Sequence, residues 1–133
     1  MNMKNSTIQI DFKITGDDFS IEKISEKLEL EPIYTCTMDK QQVGKRRGNT
    51  VWIYGTGSEV TIDTSIQIKK IERILLPKVA VLCELKERYN LYFTFDIIIG
   101  IGHDAVPAVY FESPFTQLVA KLDAKIDLNT SFI

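Results

Sequence analysis

The chain has 133 residues but only one histidine, two cysteines, four prolines and seven glycines. Each scarcity excludes something. A lone imidazole with no HxH, CxxC or HExxH spacing leaves no sequence basis for a metal centre. Two isolated thiols, Cys36 and Cys83, do not make a disulfide framework, and they read as small buried hydrophobes. So few glycines and prolines exclude a fibrous or low-complexity chain. No apolar run approaches the ~20 residues that cross a bilayer. The start, MNMKNSTIQIDF, has no apolar signal segment and moves straight into strand-like alternation, so the expected setting is the cytoplasm and no membrane partner is expected. There is no GxSxG elbow and no evident Cys–His pair, and no catalytic residue or cofactor is assigned.

What is present is an ordinary globular composition, 44% apolar and 26% charged, in a length that suits one domain over residues 1–133. The small net charge of −2 is unevenly spread. Residues 40–90 hold ten Lys/Arg against five Asp/Glu, and the flanks hold six against thirteen. Such asymmetry can steer a partner, although folding can also interleave the two signs.

Two stretches repeat one local grammar: strand, capping serine, short amphipathic helix, strand. In the first, Ile8, Ile10, Phe12 and Ile14 alternate with polar residues, and Ser20 sits where an N-cap is needed. Phe19 and Ile24 flank it at the spacing of a hydrophobic staple, Ile21, Ile24 and Leu28 form the apolar stripe, and Pro32 stops the helix. Ile33 to Met38 reads as the return strand. The second stretch has a strand over Ala108–Glu112, Ser113-Pro114 as N-cap and first-turn proline, and a final strand alternating Ile126, Leu128, Thr130 and Phe132.

Between them come a polar loop from Asp39 to Asn49, a strand TVWIY and a long helical segment. Pro77 interrupts that segment and predicts a kink or two consecutive helices. Leu91 to Ile101 is the strongest strand, with Phe93, Phe95, Ile97 and Ile99 on one face. The expected fold is α+β: a mixed, mostly antiparallel sheet with helices on one face, in the order βαββ, kinked or paired helix, ββαβ, ferredoxin-like in its first six elements.

The stretch Ile14-Thr15-Gly16-Asp17-Asp18-Phe19-Ser20, with a helix ending in Leu30-Glu31-Pro32, resembles a family of small, mainly bacterial proteins catalogued as domain of unknown function 4279. Trp52 after a basic loop, Pro77, and the Ser113-Pro114 helix leading to the last strand are similar to it too. The chain departs from the pattern at Ile21, where proline is expected, and at Glu29, where glycine is expected. The resemblance implies a fold and brings no activity, cofactor or catalytic residue.

Three candidate sites follow. Lys45, Arg46 and Arg47, with Trp52 nearby, could meet an acidic partner or nucleic acid, but a pI of about 5.4 disfavours a nucleic-acid binder. His103 beside Asp104 could act as a base, but consecutive residues do not readily aim at one point, and a solvated turn is the competing account. Asp17-Asp18 is explained by turn and helix-end chemistry. The expected function is a non-enzymatic protein-interaction module, an immunity or accessory factor by analogy alone, with homo-oligomerisation left open. The alternatives are a small-molecule binder or enzyme with a pocket near His103, and a weak nucleic-acid binder through residues 45–47.

Overall fold

The computed structural model describes residues 4–37 and 50–133. Strand β1 (Thr7–Gly16) leads to helix α1 (Ile21–Leu28), β2 (Tyr34–Cys36), β3 (Thr50–Gly55) and a two-residue β4 (Glu59–Val60). Helix α2 (Thr64–Leu75) and α3 (Val79–Tyr89) are joined by a 3-10 turn at Leu76–Lys78. Then come β5 (Tyr92–Ile101), α4 (Ser113–Leu122) and β6 (Lys125–Phe132). The sheet runs β2-β3-β1-β5-β6, with β4 paired to β1 alongside that path. Every pairing between named strands is antiparallel except β5 with β6, which is parallel.

The alternation in β1 and β5 explains the core. Ile8, Ile10, Phe12 and Ile14 stand opposite Ile99, Ile97, Phe95 and Phe93, and all eight are buried. Ile24 and Leu28 of α1, Ile71 and Leu75 of α2, Leu82 of α3, and Phe115, Leu118 and Leu122 of α4 join all of these but Ile8 in one cluster. Phe95 sits between Phe12 and Phe115, with ring centroids 5.1 Å away on each side. Each such side chain contributes about 1.5–3 kcal/mol on leaving water, so this layer dominates stability.

The first helix starts as its sequence predicts. Ser20 Oγ accepts the Lys23 N–H at 3.2 Å, and Phe19 and Ile24 are both buried beside it. Asp63 caps α2 by accepting the Ser65 N–H at 2.9 Å. Pro77 lies in the 3-10 turn, so the long helical segment is two helices, the second of the two predicted outcomes.

Three expectations change. Ser113 does not cap α4. Glu112 precedes the helix and its carbonyl takes the Phe115 and Thr116 amides at 3.0 and 3.1 Å, while Ser113 Oγ accepts from Gln117 Nε2 at 3.0 Å. Ala108–Glu112 forms no strand, and its single bridge, from Ala108 to Asp63, lies outside the named strands. The reason is occupancy: β5 has β1 on one side and β6 on the other, so it offers no free edge. The C-terminal order is therefore βαβ and not ββαβ. The return strand of the first arm is also shorter than predicted, Tyr34–Cys36, although the Ile33 N–H still reaches the Ile53 carbonyl at 2.7 Å. The predicted strand end at Met38 lies outside the described residues.

Candidate interaction site

A hollow lies along α1 and the chain leading into β2. It has a volume of about 530 Å³. Its apolar floor is Ile21, Leu30 and Pro32, and its rim carries Glu22, Glu26, Glu29 and Glu31, all exposed. Local sequence builds this arrangement. Glu22, Glu26 and Glu29 recur at i, i+4 and i+7, one flank of a helix, while Ile24 and Leu28 turn to the core. Ser25 on the groove wall accepts the Trp52 indole N–H at 2.9 Å, which ties α1 to β3.

Glu29 closes the helix in an unusual way. It adopts a left-handed backbone, φ 55°, with its amide on the Glu26 carbonyl at 3.3 Å, while the Leu30 amide meets the Ser25 carbonyl at 3.2 Å. Glycine is the low-cost residue for that cap. Asn90 and Asp123 share the conformation at the ends of α3 and α4, but Asn and Asp tolerate it better than glutamate does. The strained residue is thus one whose carboxylate stands on the groove rim.

Of the predicted site residues, Trp52 and His103 lie among the described residues. Lys45, Arg46 and Arg47 lie outside the described residues. Trp52 is fully buried, so neither ring face is offered to a base. His103 is exposed, and its ring Nδ1 and backbone N–H both meet the Lys4 carbonyl, at 2.6 and 3.0 Å. Asp104 turns elsewhere: its Oδ1 accepts the Ser6 amide at 2.9 Å and stands 3.0 Å from Ser6 Oγ. That amide, above all, holds the Asp104 carboxyl below the usual carboxylate range. Ser6 is fully buried and its Oγ also accepts the Gly102 amide at 2.8 Å. A Cβ on Gly102 would lie 2.3 Å from the Lys4 carbonyl oxygen, so only glycine allows this close approach. The Gly-His-Asp turn fastens the chain before β1 to the end of β5.

The sheet face away from the helices carries a row of carboxylates that sequence reading missed. Asp11 stands opposite Asp96, which stands opposite Asp127. Burial, above all, raises the Asp11 carboxyl above the ordinary value, and the Asp96 charge adds to it, while the Gln9 amide at 2.8 Å opposes it. Lys13 lies 3.6 Å from Asp96 and Lys125 3.5 Å from Asp127. Among the described residues no group of ligating side chains gathers to hold a metal ion. The period-2 pattern puts these aspartates on one face, but only the register aligns them.

No helix among the described residues is long and apolar enough to cross a membrane. No curated protein and no solved structure matches the chain. One family model does, from residue 6 to residue 132, and the chain belongs to the family it defines, Domain of unknown function (DUF4279).

Proposed function

We propose that this chain is a non-enzymatic protein-interaction module whose groove between α1 and β2 takes a basic, partly apolar segment of another protein. The observation that carries the reading is the groove itself, four glutamates around a floor of Ile21, Leu30 and Pro32 in about 530 Å³. Carboxylates on a rim steer a cationic partner and set its on-rate, while the apolar floor supplies the desolvation that holds it. Exposed ion pairs contribute about 0.2–1 kcal/mol each, so the rim alone gives weak binding that falls as salt rises.

The scaffold we infer for the module is ferredoxin-like in its first strands. The order β2-β3-β1-β5, antiparallel throughout, supports this, with β6 added beside β5. A cytoplasmic setting agrees with the two unpaired thiols, Cys36 and Cys83.

The test is fluorescence anisotropy with a labelled peptide of alternating lysine and leucine, and with its glutamate–leucine counterpart as control. The expected result is binding of the first only, weakened by salt and lost in the double variant Glu26→Lys/Glu31→Lys. Equal binding of both peptides, or binding indifferent to the double reversal, would overturn the groove reading.

A further inference from the structure

Strand β6 forms one edge of the sheet among the described residues, with β5 on its inner side and no described strand on its outer side. The Ile133 N–H donates to the Ile101 carbonyl at 3.0 Å, so Ile133 turns its backbone groups toward β5. Successive residues of a strand aim these groups to alternate sides. Ser131, Asn129 and Asp127 therefore bond inward as well, and Ile126, Leu128, Thr130 and Phe132 aim their N–H and C=O groups outward. The same alternation holds across the sheet: Ile10 turns away from β5 and its carbonyl accepts the Thr56 amide at 3.1 Å.

Natural edges are usually blunted by charge, proline or a bulge. The only charges of β6 are Lys125 and Asp127 at its start, and they face each other at 3.5 Å. From Leu128 to Phe132 the edge is uncharged, and it exposes Leu128 at 55% and Phe132 at 87%.

We propose that two copies of this chain pair β6 with β6, antiparallel, about a twofold axis at Asn129. Outward residues can exchange bonds only with outward residues, which leaves few registers. With Asn129 on the axis, Ile126 of one copy stands opposite Phe132 of the other and Leu128 opposite Thr130, so every outward group from Ile126 to Phe132 is paired. Centring the axis on Leu128 strands Phe132, and centring it on Thr130 strands Ile126.

Side chains agree with this register on both faces. The exposed Phe132 ring covers Ile126, and Leu128 packs beside Thr130. On the other face the two Asn129 amides meet, each able to donate and accept, and the Asp127 carboxylate faces the Ser131 hydroxyl. The two copies of Asp127 then lie about 13 Å apart along the strands, beyond effective repulsion. The pairing lies at the opposite edge of the sheet from β2, so it does not depend on the groove reading and would present two grooves on one continuous sheet.

The experiment is light scattering and sedimentation of the whole chain across a dilution series, with three variants. Wild type is expected to dimerise. Thr130→Pro removes an outward N–H that β5 does not use, so it should leave the circular dichroism unchanged and give a monomer. Asn129→Asp, an exposed change that cannot disturb the core, sets like charges on the axis and should weaken the dimer about fivefold. Asn129→Cys, in a background carrying Cys36→Ser and Cys83→Ser, should crosslink into a dimer on mild oxidation. A wild type that stays monomeric up to sub-millimolar concentration, or a dimer indifferent to both Thr130→Pro and Asn129→Asp, overturns the proposal.

Discussion

The arms β1-α1-β2 and β5-α4-β6 share one local plan and end as different objects. In the second, the return strand lies parallel beside the strand it came from, and α4 crosses two adjacent strands. In the first, β3 stands between β1 and β2, so the chain must travel farther and comes back as a three-residue edge. Among the described residues, the first arm consequently leaves a hollow beside its helix, and the second leaves a long free edge. Local grammar sets the elements, while the place of the return strand decides what surface each arm presents.

The largest effects should be the same in both arms, because both helices end on one core. Leu28 and Leu122 are each fully buried near a helix C-terminus. Leu28→Ala and Leu122→Ala should each cost about 3 kcal/mol in urea unfolding monitored by tryptophan fluorescence. A cost in one arm several times that in the other, or two separate transitions, would show that the arms are not one cooperative unit.

The helix starts should separate the arms. Ser20 accepts a first-turn amide and Ser113 does not. Ser20→Ala is expected to cost about 1 kcal/mol, and Ser113→Ala less than about 0.5 kcal/mol. Equal losses would mean that Ser113 caps in solution. The helix ends should separate them in the opposite direction. Glu29→Gly relieves a left-handed glutamate and should raise stability by about 0.5–1 kcal/mol after the entropy cost of glycine, whereas Asp123→Gly should gain less. The same Glu29→Gly variant should bind the lysine–leucine peptide more weakly, so a gain in stability would accompany a loss of affinity.

These contrasts mark what the sequence can disclose. Ser20, the Phe19–Ile24 staple, the Pro77 break and the alternation of β1 and β5 were legible because each is decided within a few residues. Ser113-Pro114 carries the same signals as Ser20, yet its cap is displaced by the Glu112 carbonyl. Ala108–Glu112 has strand-like residues but no edge to join, since β6 takes the place beside β5. That competition is settled by residues distant in sequence. The groove was half legible: the i, i+4, i+7 spacing of Glu22, Glu26 and Glu29 was available, but Pro32 and Thr35 join them only through the turn. Trp52 after a basic loop suggested a stacking surface, and only the packing of α1 shows that Ser25 and the core claim it.

The smallest predicted effect lies where the arms meet, on the sheet face away from the helices. Asp11 belongs to the first arm, and Asp96 and Asp127 to the second, and the register lines up the three. The Asp11 carboxyl is raised, chiefly by burial and further by Asp96. A carboxyl raised in the folded state works against stability once it ionises. Below the ordinary value of 3.8 both folded and unfolded chains hold the proton, and the residue is neutral in its effect. As pH climbs through 3.8 toward the raised value the unfolded chain loses its proton first, so stability falls and the deficit persists at neutral pH. Asp11→Asn keeps an oxygen for the Gln9 amide and removes the charge. It should therefore gain about 0.5 kcal/mol or less at neutral pH, with the gain shrinking to nothing below 3.8. Asp104→Asn should show the reverse sign, because the Ser6 amide favours the ionised form there, and its loss should fade as pH falls through the depressed value. Paired urea titrations of both variants at neutral and strongly acidic pH check this. A gain for Asp11→Asn that persists in acid would place its cause in packing and leave the aligned carboxylates without electrostatic consequence.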